Sequence, residues 1–312
     1  MTFSRSGEWL HTRDMGGMWN LGGIAPRELL KRTARESWQH NVFGQAAQLA
    51  FYHFLAIFPV LLLLLIPLAR LAGAGVDMRA MLTGSLRQFL PADAAALVTA
   101  AIQDLDSNAH HGGGLLVVAA IGATWAGFNA SWAMIAGLNV AYDTEEDRRW
   151  FEIAARAGCL AIMVVVLVMA ALFGTHYIGR QLAGPTPGRI LPRIAQWGAI
   201  VTILMISFAI FYRFGPNLRE HRWQWSTPGA IFGAMLWVAS TLLVQEYFDR
   251  FASHYRIYGR LAATAALMIW LYMTSATILI GAELNSEIEK AGEKSGTERA
   301  ARKQKSGAEK PA

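Results

Sequence analysis

The run from Ala46 to Ala69, AAQLAFYHFLAIFPVLLLLLIPLA, holds 24 residues without a formally charged side chain. As a helix it is long enough to cross a bilayer core of about 30 Å. Five further stretches of similar character follow, and the spans read as about 46 to 69, 114 to 141, 157 to 178, 194 to 214, 229 to 247 and 261 to 284. Membrane-barrel strands would alternate lipid-facing and lumen-facing residues, whereas these runs are continuously apolar. The fold class expected is therefore all-α: a polytopic membrane protein with six transmembrane helices. Hydrophobic residues make up 54% of the chain and charged ones 16%, against about 25% charged in soluble domains.

Three regions follow from this pattern: a disordered N-terminal tail over 1–23, a membrane domain over 24–290, and a disordered basic and acidic C-terminal tail over 291–312. The N-terminus lacks the short apolar core and small-residue cleavage site of a secretory signal, so the first span is expected to act as its own insertion signal. An even number of crossings puts both ends on one side. The side holding the tails and the loops 142–156 and 215–228 carries eighteen Lys and Arg, against nine opposite. The positive-inside rule then places both termini in the cytoplasm. Between the first two spans, residues 70–113 read as an amphipathic helical hairpin lying on or dipping into the outer face.

Just before the first span, PRELLKRTARESWQHNV is basic and amphipathic. Arg27, Lys31 and Arg35 recur at helical spacing beside an apolar stripe of Leu30, Ala34 and Trp38. Such a segment suits the surface of an anionic leaflet, or serves as a solvated elbow into the membrane. The sequence pI near 9.6 is explained by positive-inside sorting, and no RNP-type motif, zinc knuckle or GXXG segment is present to read bases. Membrane lipids are the expected partners, a homo-oligomer stays open, and no nucleic acid is expected. The single cysteine, Cys159, rules out an intrachain disulfide and a thiolate metal cluster.

Polar groups inside a bilayer need partners, so they carry the functional information. Gln45, Gln48 and Tyr52 recur at i, i+3 and i+7 with His53 adjacent, a face expected to look into the bundle. Pro59 interrupts the same helix, as a packing kink or as a hinge whose freed carbonyl lines a cavity. Asn129 and Asn139 accompany small residues of the second span, as interhelical glue or as ligand groups. In the fifth span Gly229 and Gly233 form a GxxxG pair, with Gln245 on a polar end. Glu283 closes the last span near its boundary, placed to pair with a base such as Arg213 or to serve proton or cation coupling. The putting-together of these residues predicts either a polar pathway lined by Gln48, His53, Asn129 and Gln245 or a set of interhelical contacts.

The order of signatures is also informative. LAFYHFLAIFP, GLNVAYD, YRFGPN, the spaced Trp237, Ser240 and Tyr247, HYRIYGRLA and LMIWLYMTSATILIGAELNSEI resemble the YihY / virulence-factor BrkB family over about residues 28–290. Trp270, Leu271 and Tyr272, with the Gly281 to Asn285 run, fall where that family's W-L-Y and G-A-E-L-N signatures fall. Its usual Y-G-S-L-G reads Tyr258, Gly259, Arg260, Leu261, Ala262 here. The resemblance implies a six-helix protein of the bacterial cytoplasmic membrane. Members have carried a ribonuclease BN label, yet His110 and His111 are adjacent and share no helix face, and no HExxH, Walker A, GxSxG or dinucleotide fingerprint occurs. A non-enzyme without cofactor is expected. Two classes remain: a transporter or permeation protein for an ion, small solute or lipid, and a structural or accessory membrane protein acting through partners.

Overall fold

A computed structural model describes residues 21–71, 112–181, 190–218, 228–255 and 260–308, together with a few positions between 92 and 100. All regular structure among the described residues is helical. A 3-10 turn, Leu21–Gly23, precedes α1 (Pro26–Gln39), α2 (Val42–Leu71), α3 (Gly112–Ala141), α4 (Trp150–Gln181), α5 (Ile190–Phe214), α6 (Pro228–Tyr255) and α7 (Arg260–Ala308). Among these residues four stretches are long and apolar enough to cross a membrane: Trp150–Ala171, Trp197–Phe214, Pro228–Phe248 and Leu261–Gly292. Val42–Ile57 is a shorter apolar helix.

Consecutive helices from α2 to α7 pack in turn, and α7 closes the ring against α2 while also touching α1 and α3. The largest buried cluster joins Val42 and Leu49 of α2, Met134, Ile135 and Leu138 of α3, Ala157 and Leu160 of α4, Phe208 and Phe211 of α5, and Leu279 and Ala282 of α7. A second cluster gathers Ala50, Val244, Phe248, Leu267 and Leu271 around Ala95. Ala95 belongs to the hairpin expected over 70–113, most of which lies outside the described residues. Its burial packs that part of the chain against the bundle.

Residues 1–20 of the expected N-terminal tail lie outside the described residues, while Leu21 is ordered and packs with Ile24 beside Leu29, Leu284 and Ile288. At the other end α7 stays helical through Ala308, past the boundary at 291 where a disordered tail was expected. Low apolar content argues against a separate fold, but it does not oppose helix: this segment is rich in Ala, Glu, Lys and Arg, all strong helix formers.

The basic amphipathic segment before the first span is a helix, α1, and it buries an unexpected face. Leu29, Thr33 and Ser37 are buried, and Leu29 packs against Leu284 and Ile288 of α7. Small Thr and Ser side chains let α1 lie close to its neighbour. The stripe of Leu30, Ala34 and Trp38 is left exposed.

Candidate functional site

The junctions α1 to α2, α3 to α4 and α5 to α6 meet the second half of α7 at one end of the bundle. The local sequence sets up each junction. At the first, the amide of His40 donates to the carbonyl of Glu36 at 2.8 Å, and Asn41 adopts a left-handed conformation with φ of 51°. Asn tolerates that region better than most residues with a Cβ, and α2 starts one residue later. Gln45 then donates from Nε2 to the carbonyl of His40 at 2.8 Å. After α3, Asp143 is likewise left-handed with φ of 49°, its amide donating to Val140 at 3.0 Å. Both kinks sit at helix ends, and Asp143 turns its carboxylate to His40 and Lys290.

His40 lies between two carboxylates. Its Nδ1 is 2.8 Å from Oε1 of Glu283, and its Nε2 is 3.1 Å from Oδ1 of Asp143. Glu36 stands 3.9 Å from the same Nε2. Lys290, two turns along α7 from Glu283, reaches Oδ2 of Asp143 at 2.5 Å and Glu287 at 3.3 Å. Glu283 is completely buried, and its Oε2 has no hydrogen-bond partner among the described residues. A neutral imidazole has one N–H and can donate to one of its two carboxyl neighbours. The geometry therefore requires either an imidazolium between two carboxylates or a neutral imidazole beside one protonated acid.

A second network lies beside the first. Asn139 donates from Nδ2 to Glu146 at 2.7 Å and accepts, on Oδ1, the amide of Asn217 at 2.8 Å. Asn217 donates from Nδ2 to the carbonyl of Glu145 at 2.9 Å and to the Asp147 carboxylate. The guanidinium of Arg148 grips Glu146 and also donates to the carbonyl of Gly215 at 3.2 Å. Partial burial pushes the Glu146 carboxyl up, but hydrogen bonds from Arg148 and Asn139 and the Arg148 charge outweigh it and hold it below its usual range. The run EEDRR thus clamps the α5 to α6 turn in addition to neutralising itself.

The third part is a close crossing of α6 on α7. The amide of Gly229, unused at the start of α6, donates to Oδ1 of Asn285 at 2.8 Å. A Cβ at Gly229 would collide with the carbonyl of Gly281, and one at Gly281 would lie 2.7 Å from the carbonyl of Gly229 and collide with the Tyr212 hydroxyl. Tyr212 donates to the carbonyl of Ile278 at 2.8 Å. One turn on, a Cβ at Gly233 would sit 3.0 Å from the Phe208 ring.

The residues singled out in the sequence are distributed over the molecule. Glu283 and Asn139 fall in the two networks, and Gly229 and Gly233 in the crossing. Glu283 pairs with His40 and not with the suggested Arg213. The expected inward face of α2 is displaced: Val42, Ala46, Leu49 and Ala50 are buried, Gln45, Tyr52 and His53 lie at intermediate depth, and Gln48 is exposed. At 3.6 residues per turn the buried face centres near Ala46 and Leu49, which leaves Gln48 well around the helix. His53 lies 3.4 Å from the Ser275 hydroxyl of α7. Asn129 donates to the carbonyl of Trp125 in its own helix at 2.7 Å. Pro59 lies on Gly122, where a Cβ would come 3.3 Å from its ring. Gln245 is half-buried on α6.

His40, Asp143 and Lys290 escaped the sequence reading because each lies outside a span. The available signal was the spacing of Glu283, Glu287 and Lys290 along one helix face. Among the described residues, no group of three or more His, Cys, Asp or Glu side chains is arranged to hold a metal ion.

Residues 33–306 match the family model described as Virulence factor BrkB. A ribonuclease-like protein by name, YfkH of Bacillus subtilis, is 31% identical over 260 residues, covering 80% of this chain and 91% of its own. A UPF0761 membrane protein of Idiomarina loihiensis is 29% identical over 154 residues, 49% of this chain and 54% of its own, and one of Vibrio cholerae is 30% identical over 125 residues, 39% and 41%. No solved structure matches the chain. The signatures in α2, α3, α5 and α7 and this match over most of the length agree, and the chain belongs to the virulence factor BrkB family of membrane proteins.

Proposed function

We propose that the protein crosses the bacterial cytoplasmic membrane six times, with both termini in the cytoplasm, and moves an ion, a small solute or a lipid. The observation that carries this reading is His40 held between Asp143 and fully buried Glu283. Ionisable groups within or at the edge of a membrane bundle are costly and tend to mark transport pathways or proton relays. A histidine that must share its proton with two carboxyl groups supports a responding site at the cytoplasmic mouth. On this reading the protein is not an enzyme and uses no cofactor.

The test is flux in proteoliposomes. Protons, monovalent cations and labelled lipids are screened with and without an imposed gradient, for the parent, Glu283→Gln and His40→Gln. Flux above that of empty vesicles, reduced in variants that keep their folded yield, is the expected result. A well-folded preparation that moves no member of the panel favours the accessory-protein reading. That second reading has its own support, because Asn129 bonds to its own helix and Pro59 fills a groove at Gly122. Single cysteines at Ser6, Asn108 and Ser306, in a chain with Cys159→Ser, test topology: Asn108 is expected to label from the face opposite the other two.

A further inference from the structure

We infer that the outer face of α1 is a docking surface for the anionic lipid headgroups of the leaflet that holds the protein. The helix is fixed to the bundle by the opposite face, Leu29, Thr33 and Ser37. What remains outward combines apolar and cationic groups. Trp38 is 77% exposed and Leu30 47%, with Ala34 between them also exposed. Arg27, Lys31 and Arg35 are exposed around the same side. Arg32 is paired with Glu28, and Arg35 contacts Glu36, whereas Arg27 and Lys31 have no acidic partner among the described residues.

The level of this face is marked by its neighbours. Trp38 meets Phe43, an exposed residue of the first turn of α2, edge to face at 6.5 Å. The other two junctions at this end repeat the combination. Arg149 stands over the Phe151 ring at 5.9 Å beside exposed Trp150, and Arg213 stands over exposed Phe214 at 5.6 Å. Exposed aromatic rings with basic groups at three helix junctions form the belt that membrane proteins carry at the headgroup level. A helix held there with Trp and Leu outward and three cations alongside presents the chemistry that anionic headgroups recognise. The occupant is thus the host leaflet itself, reached without any movement of the bundle.

The experiment uses the full chain with Cys159→Ser and a nitroxide at Ala34→Cys, with a second label site at Leu30→Cys. It is reconstituted in phosphatidylglycerol-containing vesicles and in phosphatidylcholine vesicles. Preferential contact with oxygen over a water-soluble nickel chelate is expected in the anionic vesicles. Exchanging Arg27, Lys31 and Arg35 for Gln is expected to raise nickel-chelate access at Ala34 in the anionic vesicles to the level seen in phosphatidylcholine vesicles, with an unchanged melting temperature. Equal nickel-chelate access in both vesicle types would overturn the inference. So would dipolar broadening between labels that disappears on dilution with unlabelled protein, since a second copy would then cover the face. Neither result bears on whether the protein transports a solute.

Discussion

α4 and α7 each hold a stretch long and apolar enough to cross a membrane, and they behave differently in the bundle. Of an apolar 18-residue segment within Trp150–Ala171 of α4 only 17% is buried, against 56% of the corresponding segment within Leu261–Gly292 of α7, although the α4 stretch is the more apolar. The less apolar helix is the more central one. In water this would be paradoxical. In a bilayer, apolar side chains gain nothing by leaving lipid, so a helix is drawn inward by close packing and by polar groups that need partners. α7 supplies both: Ser275, Thr277, Glu283, Asn285 and Ser286 are all buried, and Gly281 admits the backbone of α6. α4 presents Ile162, Val166 and Val168 outward, and its cysteine is exposed.

The largest effect is expected where two backbones touch. Gly229→Leu must force α6 off the Gly281 carbonyl and break the bond to Asn285. A loss of about 3 kcal/mol or more is expected from such overpacking, read as a collapse of monodisperse yield and melting temperature in detergent. Gly233→Leu follows it, since a Cβ there meets the Phe208 ring at 3.0 Å and the Thr277 carbonyl at 3.2 Å, less closely than a Cβ at Gly229 meets the Gly281 carbonyl. If Gly229→Leu melts like the parent, the close crossing is not what holds α7 at the centre.

Removing His40 from its hydrogen bond to buried Glu283 comes next. His40→Ala strands Glu283 without its hydrogen-bonded partner, and a loss of about 3 kcal/mol is expected. Glu283→Gln/His40→Gln together should recover part of it, a result that a purely steric role for His40 would not give. For the neighbouring clamp, Asn139→Ala leaves the Asn217 amide and Glu146 each short of a partner, for a loss of about 1–3 kcal/mol.

The clamp also has a pH signature. Because the folded state holds the Glu146 carboxyl below its ordinary value of 4.5, the stability it contributes is complete above that value and is lost as pH falls through the lower folded one. The melting-temperature difference between the parent and Glu146→Gln should therefore be constant near neutrality and shrink below about pH 4.5. A difference that persists at acid pH would show that the carboxylate charge is not what Arg148 and Asn139 hold. The smallest effect belongs to α4. Nothing lies within 4 Å of a Cβ at Gly158, so Gly158→Leu is expected to change stability by no more than about 0.5 kcal/mol.

Much of the helical layout was legible because span length and charge exclusion are local properties. Reading which face of α2 turns inward failed at Gln48, because the sequence marks polar positions and the packing partners, α3 and α7, choose which of them to cover. In α1 the stripe of Leu30, Ala34 and Trp38 is exposed, and the bundle buries Leu29, Thr33 and Ser37, a face that the sequence pattern does not mark. Glu283 stood out as an acid near a span end. Its partner could not be named, since His40 lies 243 residues earlier and no periodicity spans that separation.

By itself the sequence determined that this chain is helical and membrane-bound, and that Gly229 and Glu283 are unusual for their surroundings. These follow from the cost of exposing backbone and charge to hydrocarbon, which each segment must meet alone. Only the tertiary structure decided that His40 and Asp143 close on Glu283, that Asn217 completes Asn139, and that Gly229 meets Gly281. Each of those contacts joins separate helices, and in lipid it is the geometry of their approach, not their hydrophobicity, that selects which polar groups meet.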